Sequence, residues 1–195
     1  MAKLTAQLEQ GIEECDRLLT NNEMFLARTK GIGSIGPEDA VDFGVTGPAL
    51  RASGVAEDVR ISEPYGIYDR FDFGIPVGTN GDCWDRYYVR VEEMRQSLRI
   101  IEQAMAQMEP GPIMAKVRRI TRPPKGEVYK RTESPRGDLG VFLVSDGSDK
   151  PYRLKVRAPS FANLQGLKHM LKDAYVADAV VILGSIDIVL GEVDR

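Results

Sequence analysis

A chain of 195 residues with 43% apolar and 28% charged residues can bury a substantial core, and its composition gives no sign of disorder. The formal net charge of −3 argues against a dedicated nucleic-acid binder, whose domain would be strongly basic. Cys15 and Cys83 stand far apart without CxxC spacing, which excludes a disulfide framework and a structural zinc or iron–sulfur site on this chain and points to a reducing, cytoplasmic setting.

Leu4, Leu8, Ile12, Cys15 and Leu19 recur at helical spacing and predict a helix from about Leu4 to Asn22, one face apolar and the other charged. The acids Glu9, Glu13 and Glu14 stand where a signal peptide would carry its apolar core. Asn21-Asn22 interrupts the helix, and Met24, Phe25 and Leu26 continue the apolar surface towards the turn-rich Gly31-Ile-Gly. A short helix is predicted next, entered through Pro37 and ending near Gly44. Residues 45–86 are rich in Gly, Pro and Asp, and irregular chain of that length in a compact domain accompanies a binding or docking role. Tyr65, Tyr68, Phe71, Phe73 and Trp84 recur through it; either they pin the loop by aromatic packing or they touch a ligand.

Tyr87, Val91, Met94, Leu98, Ile101, Met105 and Met108 alternate steps of four and three. This repeat predicts a long helix over roughly 82–107, packed in a bundle against the Leu4 helix. Arg90, Glu92, Glu93, Arg95 and Arg99 fall on its other sides and read as solvated charges. Pro110-Gly-Pro ends the helix. Residues 116–125 then carry five basic residues and no acid, a run that suits an acidic partner or lipid headgroups and, more simply, a solvated connector.

Three strands are legible: Glu127–Glu133, Leu139–Ser145 and Tyr152–Arg157, the last placing Tyr152, Leu154 and Val156 on one face. Asp146-Gly147 between the second and third suits a tight turn with positive φ, so these two form a hairpin. Ser160 is read as the N-cap of a helix with a Leu164, Leu167, Leu171 stripe. Residues 176–191 are so apolar that deep burial is expected, with Asp178 and Asp187 in need of partners.

Nucleophilic catalysis is poorly supplied: the single histidine, His169, sits in a polar helical context with neither a GxSxG motif nor a cysteine nearby. Gly31-Ile-Gly-Ser-Ile-Gly matches GxGxxG only as letters, so no phosphate-binding loop is assigned. The least generic motif is Glu-Ser-Pro-Arg-Gly at 133–137. It is either a turn with a Glu133–Arg136 ion pair or part of a buried ionic constellation beside an apolar cavity.

Separated motifs, in order along the whole chain, carry a resemblance. They are the segments 78–87 (GTNGDCWDRY), 90–97 (RVEEMRQS), 133–137 (ESPRG), 143–153 (LVSDGSDKPYR), 157–161 (RAPSF) and 187–195 (DIVLGEVDR). Together they resemble the C-terminal half of the quinone-site subunit, lettered D, of respiratory complex I (NADH:quinone oxidoreductase), which is related to the large subunit of nickel–iron hydrogenases. The resemblance implies an α+β, mainly helical fold. A single domain over 1–195 is expected, helical over 1–110, with an antiparallel β hairpin region over 126–158 and a C-terminal helical segment over 160–195. It also implies a place on the cytoplasmic side of the membrane, held there only through the assembled complex. The expected partners are an iron–sulfur small subunit and other peripheral-arm subunits.

By the same resemblance the electrons come from an iron–sulfur cluster on the partner and pass to a quinone, driven by NADH or, in some relatives, F420H2. This chain is expected to bind no cofactor or metal of its own. Where hydrogenases carry their second CxxC pair, it has Asp187–Leu190 and no cysteine, so nickel is not expected. Asp187, Val189 and Gly191 would line the quinone cavity, and Glu133, Arg136 and Asp178 would support it. The family's N-terminal half, with the histidine and tyrosine expected to hold the quinone headgroup, lies outside this chain, which is therefore expected to be inactive alone and to expose apolar surface that favours dimerisation. The alternative is a non-catalytic assembly module of the same or a related redox complex.

Overall fold

Local chemistry sets the first helices of the computed structural model, which describes residues 2–116 and 120–194. Helix α1 (Ala2–Cys15) loosens into one π-helical turn at Asp16–Thr20, and the Asn22 side chain accepts from the N–H groups of Met24 and Phe25 at 3.0 and 3.1 Å to start α2 (Glu23–Thr29). The expected interruption is thus an N-cap. Of the α1 stripe only Ile12 is buried, while Leu4 and Leu8 stay half exposed. Pro37 opens α3 (Pro37–Asp42), which ends at Gly44 with φ +69°.

The long irregular stretch is not structureless. It holds α4 (Pro48–Ala52), α5 (Val59–Ser62) and a 3-10 turn at Tyr68–Arg70. All five residues of α4 are buried. Tyr68 meets Tyr65, Phe71 and Phe73 at ring-centroid distances of 5.0, 6.2 and 6.4 Å, and the Arg60 guanidinium lies 4.9 Å from the Phe73 ring. The aromatics pin the loop by packing on one another and on a cation.

Helix α6 (Cys83–Ala106) is the long helix the seven-residue repeat predicts, and α1 packs along it. Its first turn is capped by Asp82, which accepts from the Asp85 N–H at 2.8 Å. The Asp85 carboxylate in turn gathers the N–H groups of Thr79, Asn80 and Gly81 at 3.0, 2.5 and 3.2 Å. Of the basic run at 116–125, residues 117–119 lie outside the described residues.

Strands β1 (Gly126–Ser134), β2 (Gly137–Ser145) and β3 (Arg153–Arg157) form one antiparallel sheet in the order β1-β2-β3. Ser134 pairs with Gly137, so Pro135-Arg136 is a two-residue turn. Leu143 stands between Val128 and Leu154 across the sheet, and the two outer residues of that row remain about half exposed.

Helix α7 (Pro159–Asn163) follows, then a 3-10 turn at Leu164–Gly166, α8 (Leu167–Met170), α9 (Val176–Ile186) and α10 (Leu190–Val193). Ser160 does not cap α7. Ala158 holds that place because Pro159 fits the first helical position, and the Ser160 hydroxyl reaches the Glu192 carboxylate instead. The core gathers Ile35, Ala40, Val45, Ala49, Leu50, Cys83, Met170, Ile182 and Ile186. The fold is α+β and mainly helical, as expected. Among the described residues no helix is long and apolar enough to cross a membrane.

The expectation that residues 176–191 are deeply buried is wrong for most of them. Asp178, Ile182 and Ile186 form the single buried stripe of α9, while Val176 is 93%, Val180 76% and Leu190 70% exposed. One side of α9 packs on α2, α6 and α8, while Val176, Val180 and Leu183 leave an apolar outer side exposed.

Candidate functional site

Arg51 is the centre of the site. Its place in α4 is fixed by a close approach of backbones: Gly47, at φ +66°, lies so near the β1–β2 turn that a Cβ there would fall 2.3 Å from the Gly137 Cα. Only glycine allows both the left-handed angle and that contact. Arg51 itself is 1% exposed and donates from Nε to Glu93 on α6 at 2.6 Å, and from Nη1 to Glu133 on β1 at 3.0 Å and to the Glu57 carbonyl at 2.8 Å. Asp58 stands 3.9 Å away and is itself held by Arg60, whose Nη2 lies 2.6 Å from it.

Burial and partners oppose one another here. Burial alone would pull the Arg51 guanidinium down, but Glu93, Glu133 and Asp58 together hold it above its ordinary value. Glu133 is pushed up by burial with a contribution from Asp58, against the Arg51 charge and the Val59 N–H that donates to it at 3.2 Å. Asp58 moves the other way, since the bonds from Arg60 outweigh its burial.

Arg51, Arg60, Glu93 and Glu133 wall a cavity of about 360 Å³ that Arg90, Met94, Ser97, Tyr68, Ser134, Pro135 and Asp187 complete. Asp187 ends α9 in a left-handed conformation, φ 59° and ψ 51°, a shape Asp tolerates better than most residues. Its carbonyl accepts from Arg136 Nε at 2.7 Å, and its carboxylate lies 3.6 Å from the same group. The ion pair that the turn motif suggests, Glu133 with Arg136, is therefore not formed. Glu133 turns into the protein towards Arg51, and Arg136 reaches over to the end of α9.

Glu133, Arg136 and Asp187 thus come together. Val189 and Gly191 do not line this cavity; both lie on the exposed chain just beyond Asp187, where the Val189 N–H donates to the Ser160 hydroxyl at 3.4 Å. Asp178 stands at the far end of α9 and pairs with Arg28 at 3.0 Å, beside a separate cavity of about 520 Å³. His169 is also remote, 3.6 Å from Asp39 and against the Phe43 ring.

Sequence reasoning misses Arg51, Asp58, Arg60, Arg86, Arg90 and Glu93. Arg90 and Glu93 read as solvated charges, yet both face the cavity; Arg86, one turn earlier, is fully buried and donates to Ser185 Oγ and to the Gly81 and Gly33 carbonyls at 2.8, 2.6 and 2.9 Å. A signal is present. Asp82, Arg86, Arg90, Glu93 and Ser97 are spaced by four, four, three and four, a polar stripe running beside the apolar one on the same helix.

The family model described as respiratory-chain NADH dehydrogenase, 49 Kd subunit, matches residues 1–125 and 117–195. The chain is 52% identical to the NADH-quinone oxidoreductase subunit lettered D of Desulforamulus reducens over 98% of its own length and 52% of that protein. It is 54% identical to the protein of the same name from Carboxydothermus hydrogenoformans, over 94% of this chain and 50% of the relative. For that of Dehalococcoides mccartyi the figures are 52% identity, 100% and 53%. The chain spans about half the length of the curated relatives it matches. With both family-model matches and these identities running along essentially all of it, the chain belongs to the family of the 49 Kd subunit of respiratory-chain NADH dehydrogenase.

Proposed function

We propose that this chain is the C-terminal part of the quinone-reducing subunit of an NADH:quinone oxidoreductase resembling complex I, and that it helps to form a quinone cavity beside the terminal iron–sulfur cluster of a partner subunit. The observation that carries the reading is the 52% identity, over 98% of the chain, to a protein named as a subunit of NADH-quinone oxidoreductase. The cavity supports it chemically. A quinone headgroup offers two carbonyl acceptors, and the walls supply guanidinium donors from Arg51, Arg60 and Arg90 together with the hydroxyls of Tyr68 and Ser97. In this reading the chain holds no redox group of its own: the electrons arrive from the partner's cluster, quinone is the substrate, and the membrane is reached through the assembled complex. F420H2 in place of NADH is the variant that a related complex would use.

A second reading, a docking module without a part in quinone chemistry, is favoured by the exposed apolar side of α9 and α10, where Val176, Val180 and Leu190 await a cover. Met94→Trp, a change on the cavity wall made in the full-length subunit, separates the two. The quinone reading expects altered affinity for quinone or inhibitor in a complex that still assembles. Lost assembly, or an assembled complex with unchanged kinetics, would favour the docking module.

A further inference from the structure

Arg90 differs from the other guanidiniums around the cavity. Arg51, Arg60 and Arg136 each lie within 4 Å of a carboxylate, at 2.6, 2.6 and 3.6 Å, whereas Arg90 makes no such pair among the described residues. Instead its Nη1 donates to the Arg86 carbonyl one turn back at 2.7 Å and its Nη2 to the Ile186 carbonyl at 3.2 Å, while Nε is buried without a partner. Burial pulls its pKa down; Asp187 and Glu93 oppose that pull, and the charges of Arg86 and Arg136 add to it. A largely buried cation so weakly compensated is costly, and neighbouring apolar packing would serve stability alone at least as well.

What Arg90 holds gives the reason. Ile186 is the last residue of α9, and its carbonyl is one of those that a helix end leaves without an intrahelical partner. The next carbonyl along, that of Asp187, is taken by Arg136. Two arginines, one from α6 and one from the β1–β2 turn, therefore grip consecutive carbonyls at the left-handed turn that puts Asp187 on the cavity wall. This conformation is uncommon outside glycine and persists where the surroundings over-determine it.

We propose that Arg90 is a positioning residue of the cavity, and that its hold on the Ile186 carbonyl fixes the turn that presents Asp187 to the bound quinone headgroup. The inference rests on the quinone reading above. Lysine at this position could reach one of the two carbonyls, and methionine neither.

A double-mutant cycle tests it. Arg90→Met, Asp187→Asn and the double variant are placed in the full-length subunit of the membrane-bound complex, with complex content measured separately. NADH-driven reduction of a short-chain ubiquinone analogue is then resolved into kcat and KM. Each single variant is expected to lower kcat/KM about fivefold, the worth of one ordinary hydrogen bond, and the double variant to be no worse than the poorer single. Arg90→Lys, which keeps the charge and one carbonyl contact, should recover part of the loss; it also carries the cycle if Arg90→Met fails to assemble. Effects that multiply, or a silent Arg90→Met beside an impaired Asp187→Asn, would overturn the inference and leave the quinone reading standing. A silent Asp187→Asn in an assembled complex would overturn both.

Discussion

Arg51 Nη1 stands 3.0 Å from Glu133 Oε1 while its Nε holds Glu93 at 2.6 Å, so a single buried guanidinium ties the sheet to the long helix. Arg51→Met would leave two carboxylates facing each other with their cation gone. Removing one member of such a buried group costs about 3–5 kcal/mol, and urea unfolding should show a loss of that order. A loss below about 1 kcal/mol, the worth of an exposed pair, would mean that the network is far wetter than its burial implies.

Two glycines should respond in opposite directions. Gly47→Ala meets both a φ of +66° and the Gly137 backbone, and a strained position of this kind costs of order 1–3 kcal/mol before any overlap is counted. Gly184 lies inside α9 with open space where its Cβ would be, so Gly184→Ala should stabilise the chain by roughly 0.5–1 kcal/mol. Thermal unfolding of the two variants side by side checks both signs.

The acid limb of stability should carry the mark of Asp58. Its bonds from Arg60 hold it below the ordinary value of 3.8 in the folded chain despite its burial. A carboxylate with a depressed folded pKa contributes stability that is complete above its unfolded value and lost as pH falls through the folded one. Asp58→Asn keeps an N-cap oxygen for α5 but has no charge to lose, so the stability difference between wild type and this variant should shrink below about pH 3.8. A difference that is flat with pH across that window would contradict the assignment.

Much of this architecture can be read from residue patterns. The seven-residue repeat gives α6, the alternation of Tyr152 to Arg157 gives β3, and Asn21-Asn22 marks the break after α1. The site is harder to read because its centre depends on contacts across the chain. Arg51 sits in a short helix within a Gly- and Pro-rich stretch, and nothing local shows that Glu93 and Glu133, far along the chain, converge on it. Val176, Val180 and Leu190 teach the converse: apolar composition says that a face needs a cover, not that this chain supplies it.

That uncovered face predicts association. The isolated chain should form dimers or larger species through the outer side of α9, and Val176→Lys with Val180→Lys should weaken them without unfolding the buried Ile182 and Ile186 side. Sedimentation velocity over a range of concentrations measures this. A monodisperse wild-type monomer at every concentration would count against it.

In the proposed function the end of α9 and the Glu133–Gly137 turn lie against quinone. A photoreactive quinone analogue, illuminated in the assembled membrane-bound complex and followed by peptide mapping, tests this most directly. Label is expected on residues 133–137 or 186–191, competed away by excess quinone. Competable label confined to other subunits, or to other parts of this one, would contradict the claim.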